Sequence, residues 1–278
     1  MLVVTDVRGR QSMIGGLHVE VLGDDDAPAL LFSAGLGGIG RYWTPQLAAF
    51  ADYRIILYDH RGTGQSDRSA LPRPYTARHM ASDLGMILDG LGIASAHVVG
   101  HAAGGVAGLE LACTAAERVA SLTVVNGWAS ADPHFLRCFQ IRRDLYQTRG
   151  VEAYLMAQPL FLYPAEWISN NLAMLDAERA HQAAGFQDGE TLLARMNCLE
   201  AFDIRQHLAD IHVPTLIVAT EDDMLVPAHA SQALAEGLPR AQRVSLPRGG
   251  HAVNVTAPDS FNEALRAFLT ALPVPVAA

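Results

Sequence analysis

Cysteine is scarce in this chain: Cys113, Cys138 and Cys198 are the three among 278 residues, far apart and without a C-x-x-C spacing. An odd, dispersed set excludes a disulfide framework and fits reduced thiols in a cytoplasm. Cys113, inside an apolar helical stretch, reads as a core residue. No uninterrupted apolar run approaches the ~20 residues a membrane span requires. Residues 1–8 hold no charged leader followed by a long apolar segment, so no signal peptide is expected. A basic tract is also missing: the net charge is −9, and Arg137, Arg142 and Arg143 are interleaved with apolar residues. Nucleic acid is thereby excluded as an expected partner, since phosphate binding needs a clustered basic face. No metal and no cofactor are expected.

With 50% hydrophobic residues in 278, the chain can bury one sizeable core. Residues 16–22 alternate as a strand does, and 29–33 form a short continuous apolar run suited to a strand buried on both faces. A loop at 34–38, a helix over 41–51, a strand at 54–58 and a turn at 59–66 follow. The pattern then predicts a helix over 80–91, a strand at 97–99, a helix over 103–116 and a strand at 122–126. This alternation implies a mostly parallel central sheet with helices on both faces, an α/β fold. From 128 to 210 the rhythm stops; the segment is helix-rich and aromatic-rich, broken at Gln158-Pro159, Tyr163-Pro164 and Gly185. We read it as a helical lid inserted between core segments 1–127 and 211–278. A strand at 214–219, a helix near 229–238, a strand at 243–246, a loop at 249–251 and a helix to about 272 complete the core, and 273–278 reads as a loose tail.

The central motif is Gly100-His101-Ala102-Ala103-Gly104, a strand entering a helix through a turn with a glycine at each end. That is the layout of a nucleophile elbow, G-x-S-x-G. Ala102 stands at the nucleophile position and has no atom able to attack a carbonyl. Four loops with reactive potential leave the carboxyl ends of strands, where open α/β sheets bind ligands: 34–38, 101–103, 222–223 and 249–251. Their order is elbow, acid, histidine, the order of an α/β-hydrolase triad. His251 is the candidate proton-transfer group, and Asp223 its orienter, with Asp222 and Glu221 as competitors. The backbone N–H groups of Leu36 and Ala103 are candidates for an oxyanion hole. His101 is expected to support packing. Trp43, Trp128, Phe135, Phe161, Tyr163 and Trp167 are expected as lid or pocket wall, and the three arginines named above as solvated side chains, with contact to an anionic substrate as the alternative.

Residues 59–66, the elbow, Asp223 and Gly250-His251 resemble the α/β-hydrolase superfamily over most of the chain. A narrower resemblance to the RutD family of uracil degradation rests on several further groups. They are Gly35 to Gly38 with Tyr42-Trp43, Asn126-Gly127-Trp128, Arg137-Cys138-Phe139-Gln140, Gln158-Pro159 through Tyr163-Pro164, and Gly249-Gly250-His251-Ala252 with Asn254. The resemblance implies an α/β-hydrolase fold, alanine as the family's own elbow residue, and Asp223 as the acid. It also implies a cytoplasmic hydrolase of a C–N bond acting on a small molecule, with a homodimer compatible. The implied reaction is breakdown of carbamate to ammonia and carbon dioxide without an acyl-enzyme, or alternatively hydrolysis of aminoacrylate to malonic semialdehyde and ammonia. A cofactor-free oxygenase, a degenerate hydrolase kept as a binding protein, and an esterase whose serine is replaced by Ala102 remain as competing readings.

Overall fold

The chain is described over residues 9–272 of a computed structural model. The leader reading at 1–8 and the tail at 273–278 lie outside those residues. The strands are β1 (Arg10–Ile14), β2 (Leu17–Leu22), β3 (Ala29–Ser33), β4 (Arg54–Tyr58), β5 (Ala96–His101), β6 (Val119–Val125), β7 (Thr215–Thr220) and β8 (Ala241–Leu246). They form one sheet ordered β1-β2-β4-β3-β5-β6-β7-β8. The β1–β2 and β2–β4 pairs are antiparallel and the rest are parallel. Helices α1 (Ala77–Gly90) and α2 (Ala103–Thr114) come next after β4 and β5. Between β6 and β7 lie α3 (Pro133–Leu162), α4 (Ala165–Asn170), α5 (Leu172–Ala184) and α6 (Gly189–Ala201). Then come α7 (Ala228–Gly237), α8 (Val253–Thr256) and α9 (Pro258–Ala271).

The continuous apolar strands have two covered faces, and their side chains alternate between two cores. Leu31, Val98, Leu122, Val124 and Ile217 join one core with residues of α1, α2 and α7. Phe32, Val99, Val125, Leu216 and Val218 join the other, with Trp43, Phe50 and residues of α9. Helices thus lie on both faces, as the alternation implied. Trp43, expected at a pocket wall, instead lies fully buried on the α9 side, 4.9 Å from Phe32 and 6.0 Å from Phe261 between ring centroids.

Three local expectations are corrected. The helix expected over 41–51 is a pair of 3₁₀ turns, Gly40–Gln46 and Ala48–Phe50. Pro45 has no N–H to give to the Arg41 carbonyl, and the Thr44 hydroxyl takes that carbonyl at 2.6 Å. The exposed strand β1 escaped notice because its residues carry little apolar alternation; the Gly15-Gly16 turn, both at positive φ (56° and 82°), folds it onto β2. Helix α3 continues through Gln158-Pro159 and goes without the one N–H that would have bonded the Leu155 carbonyl. Its one non-helical residue is Gly150, at φ 77° and ψ −171°. The breaks expected at Tyr163-Pro164 and Gly185 do occur. A bridge between Ser130 and Asp203 joins the two ends of this helical insertion.

The turn after β4 ties sheet to insertion. Asp59 accepts the Gly40 and Gln65 N–H groups, both at 2.9 Å. His60 accepts at Nδ1 from the Arg195 guanidinium of α6 at 2.5 Å, so its Nε2 carries the proton that faces the Ser33 hydroxyl at 3.3 Å. Burial, and secondarily the Arg195 charge, hold His60 well below the ordinary histidine range. An unfolded chain takes up this proton near pH ~6.5 while the folded one refuses it, so stability is full above that pH and falls on acidification. His60→Gln, which still offers an acceptor to Arg195, should flatten the decline of Tm between pH ~6.5 and 5; parallel wild-type and variant curves would contradict the assignment.

Candidate active site

The elbow backbone is built from close approach. Ala102 sits between β5 and α2 at φ 47° and ψ −104°, a conformation that costs a residue with a Cβ about 1–3 kcal/mol. Its N–H donates to the Val125 carbonyl and its carbonyl accepts from Val106, both at 3.0 Å. A Cβ on Gly100 would come within 2.3 Å of the Gly104 carbonyl group, and one on Gly104 within 2.1 Å of the Ser33 carbonyl oxygen. Neither glycine has positive φ; both are needed because the start of α2 lies directly on β5 and β3. The turn therefore keeps a nucleophile's geometry around a methyl group.

The histidine loop meets the elbow from the other side. His251 Nδ1–H donates to Asp223 Oδ2 at 2.8 Å, with both side chains almost fully buried. The remaining Asp223 oxygen accepts the N–H groups of Leu225 (2.7 Å) and Val226 (2.9 Å), which fix the carboxylate. Its competitors serve elsewhere: Asp222 accepts from Gly249 (3.2 Å) and Gly250 (2.8 Å), bracing the loop backbone, and Glu221 accepts from the Ser245 hydroxyl at 3.4 Å. With Nδ1–H committed to Asp223, Nε2 of His251 is the free acceptor.

His101 is a support. Its Nε2–H donates to the His251 carbonyl at 2.9 Å, and its ring stacks on Tyr42, whose hydroxyl donates to Asn254 at 2.7 Å. Burial, reinforced by the neighbouring His251, holds it well below the ordinary histidine range, hence neutral. Asn126 completes the brace: its amide donates to the carbonyls of Gly250 (3.0 Å) and His251 (2.7 Å) while accepting from Thr220 N–H (3.0 Å). Tyr42, Asn126 and Asn254 were missed as site residues; only their places in family-like motifs hinted at them.

A cavity of about 710 Å³ opens at this point, and Leu36, His101, Ala102, Ala103, Trp128, Tyr163 and His251 all line it. Asp223 stands behind His251. Ala103 is the first residue of α2, where a helix leaves its N–H unpaired. Phe135 also lines the cavity, whereas Phe161 and Trp167 do not; Trp167 packs on the back of Tyr163 at 4.5 Å. The three arginines separate cleanly. Arg137 is exposed and Arg143 pairs with Glu200. Arg142 is 3% exposed and lines the cavity. Its only hydrogen-bond partner among the described residues is the Tyr154 hydroxyl at 2.8 Å, and its Nε has none. The rings of Phe139, Tyr154 and Phe161 surround the guanidinium at 5.2–5.7 Å. Cation–π contacts contribute about 0.5–2 kcal/mol, short of the several kcal/mol that burying an unpaired ion costs.

The fold and this layout have clear relatives. The family model described as alpha/beta hydrolase fold matches residues 28–154 and 156–258. A protein of Caulobacter vibrioides, named "Putative carbamate hydrolase RutD", is 52% identical over 259 residues, covering 92% of this chain and 96% of its own. One of the same name from Pseudomonas syringae pv. syringae is 49% identical over 249 residues, covering 89% and 96%. Among solved structures, the enol-lactonase of Burkholderia xenovorans LB400 superposes with a TM-score of 0.84 at 26% identity, over 94% of this chain and all of its own. A thermophilic esterase from Thermogutta terrifontis, at 21% identity and TM-score 0.81 over 96% of this chain and 100% of that one, shares the fold. An elbow, an acid and a histidine in this order, on this sheet and among these relatives, make the chain a member of the α/β-hydrolase superfamily and, within it, of the RutD family.

Proposed function

We propose that the chain is a cytoplasmic enzyme of uracil catabolism that breaks carbamate into ammonia and carbon dioxide, with the helical insertion as its lid. One observation carries the reading: a buried, correctly bonded His251–Asp223 pair faces an elbow residue, Ala102, that has no nucleophilic atom. Acyl-enzyme routes require such an atom, whereas carbamate needs only a proton on nitrogen before its C–N bond parts. The relatives' shared name supports the same substrate. That no helix among the described residues is long and apolar enough to cross a membrane accords with this placement.

In the proposed sequence, His251 takes a proton from solvent at Nε2, and Asp223 stabilises the resulting imidazolium. His251 delivers the proton to the carbamate nitrogen. The C–N bond then breaks, its electron pair leaving with ammonia, and a carboxylate oxygen lone pair completes carbon dioxide. Negative charge on the carboxylate falls during this step. The Leu36 and Ala103 amides therefore act by orienting the carboxylate, unlike an oxyanion hole that stabilises growing charge. The methyl group of Ala102 leaves the space that a serine hydroxyl would occupy.

Stopped-flow measurement of carbon dioxide and ammonia release, at an alkaline pH where spontaneous decay is slow, tests the reading. His251→Ala should lose about 10²–10⁴-fold of the acceleration; an undiminished rate would sink the dyad model. Ala102→Ser should leave carbamate turnover equal or lower, while conferring weak hydrolysis of an activated aryl ester. A large rise in carbamate turnover would mean that a covalent route serves this substrate after all.

A further inference from the structure

The cavity is much larger than the substrate just proposed. Carbamate occupies the space of about two or three waters, at ~30 Å³ each, whereas the cavity holds about 710 Å³. That volume lies in the range of organic ligands. From the insertion, its wall includes Phe135, Phe139, Arg142, Tyr154 and Leu155.

Arg142 gives that wall its chemistry. It is buried, carries a planar guanidinium, and forms no ion pair among the described residues; its one hydrogen-bond partner there is the Tyr154 hydroxyl. Its Nε is an unpartnered donor, and the Trp128 indole Nε1–H, on the same cavity, is another. A file of rings, Phe139 to Phe135 at 4.1 Å and Phe135 to Trp128 at 4.6 Å, links the guanidinium cage to the elbow end. Glu20, Asp59 and Glu178 also line the cavity. Among the described residues Arg68 and Arg142 line the cavity without a carboxylate partner; Arg68 is exposed and donates to the carbonyls of Gly64, Gly185 and Phe186, which leaves Arg142 as the buried cation and suits a monoanion.

We propose that Arg142 anchors the carboxylate of an elongated monocarboxylate, whose other end reaches Ala102 and His251. A guanidinium presents a planar fork that matches a carboxylate, and burial strengthens the pair. The anchored ligand replaces the counter-charge that the protein itself withholds. The inference rests on the reading that chemistry occurs at the Ala102–His251 end, but it concerns recognition at the opposite end.

Calorimetric titration with linear carboxylates, acetate to hexanoate, beside their neutral amides tests it on the intact protein. The wild type should bind carboxylates at least about tenfold more tightly than matching amides, best at intermediate chain length. Arg142→Gln should bring the two series within about twofold and leave amide affinity unchanged. His251→Ala should keep the carboxylate preference. Equal affinities in the wild type, a preference that survives Arg142→Gln, or one lost in His251→Ala would each overturn the anchor. Should Arg142→Gln not fold, Arg142→Lys keeps the charge without the fork: a severalfold weaker preference is expected, and an undiminished one counts against the proposal. Failure of the two readings is distinguishable. A wild type that prefers carboxylates but leaves carbamate decay at its buffer rate retains the anchor and loses the activity; the opposite pattern retains the activity alone.

Discussion

The contact on which the site depends is the approach of α2 to the sheet at Gly100 and Gly104. Any side chain at these positions would run into the Gly104 backbone or the Ser33 carbonyl, so two missing Cβ atoms allow the helix to start directly over β5 and β3. That closeness forces the intervening residue into a left-handed, strained conformation and brings Ala102 and Ala103 to the cavity wall. A protein with no use for the elbow could relieve the strain at Ala102 by rearranging the turn. Its retention without a nucleophile argues that the backbone, rather than the side chain, is what the site employs.

Around this fixed point, the histidine loop is held by polar groups of different sequence origin. Asn126 at the end of β6, His101 at the end of β5 and Asp222 after β7 each bind backbone atoms of residues 249–251. Asp223 hydrogen-bonds the His251 ring itself, against which the His101 ring packs at 4.6 Å. Division of labour between adjacent aspartates follows from strand-end geometry: successive side chains leave the loop in different directions, so one meets backbone and the next meets imidazole. The neutral state of His101 suits its role as a fixed donor, because a second imidazolium beside His251 would oppose the charge that His251 must acquire.

Buried cations are the other organising feature. Arg195 and Arg142 come from different helices of the insertion, and both are sequestered without a carboxylate among the described residues. Arg195 finds His60 and Gln187 and so ties the insertion to the turn after β4. Arg142 finds aromatic faces and one hydroxyl, a weaker set that leaves part of its charge available to a ligand. The same burial thus yields a strut in one case and a recognition group in the other, according to what neighbours the chain supplies.

Most of the parallel sheet was legible because strands buried on both faces are continuous apolar runs, and because turn chemistry separates them. The elbow, the histidine and the order of the loops were equally plain, since glycine spacing and chain order are properties of sequence. Strand β1 was not legible: its exposed residues carry no pattern. The 3₁₀ turns around Pro45 were missed because helix period alone does not reveal a competing Thr44 hydroxyl. What the sequence by itself determined was the strand–helix alternation of the parallel core and the absence of a nucleophile at Ala102. Only tertiary structure decided that Asp223, of three neighbouring acids, meets His251, and that Arg142, of three neighbouring arginines, is buried facing the cavity. Those choices depend on directions of side chains brought together from distant segments, and no local pattern encodes them.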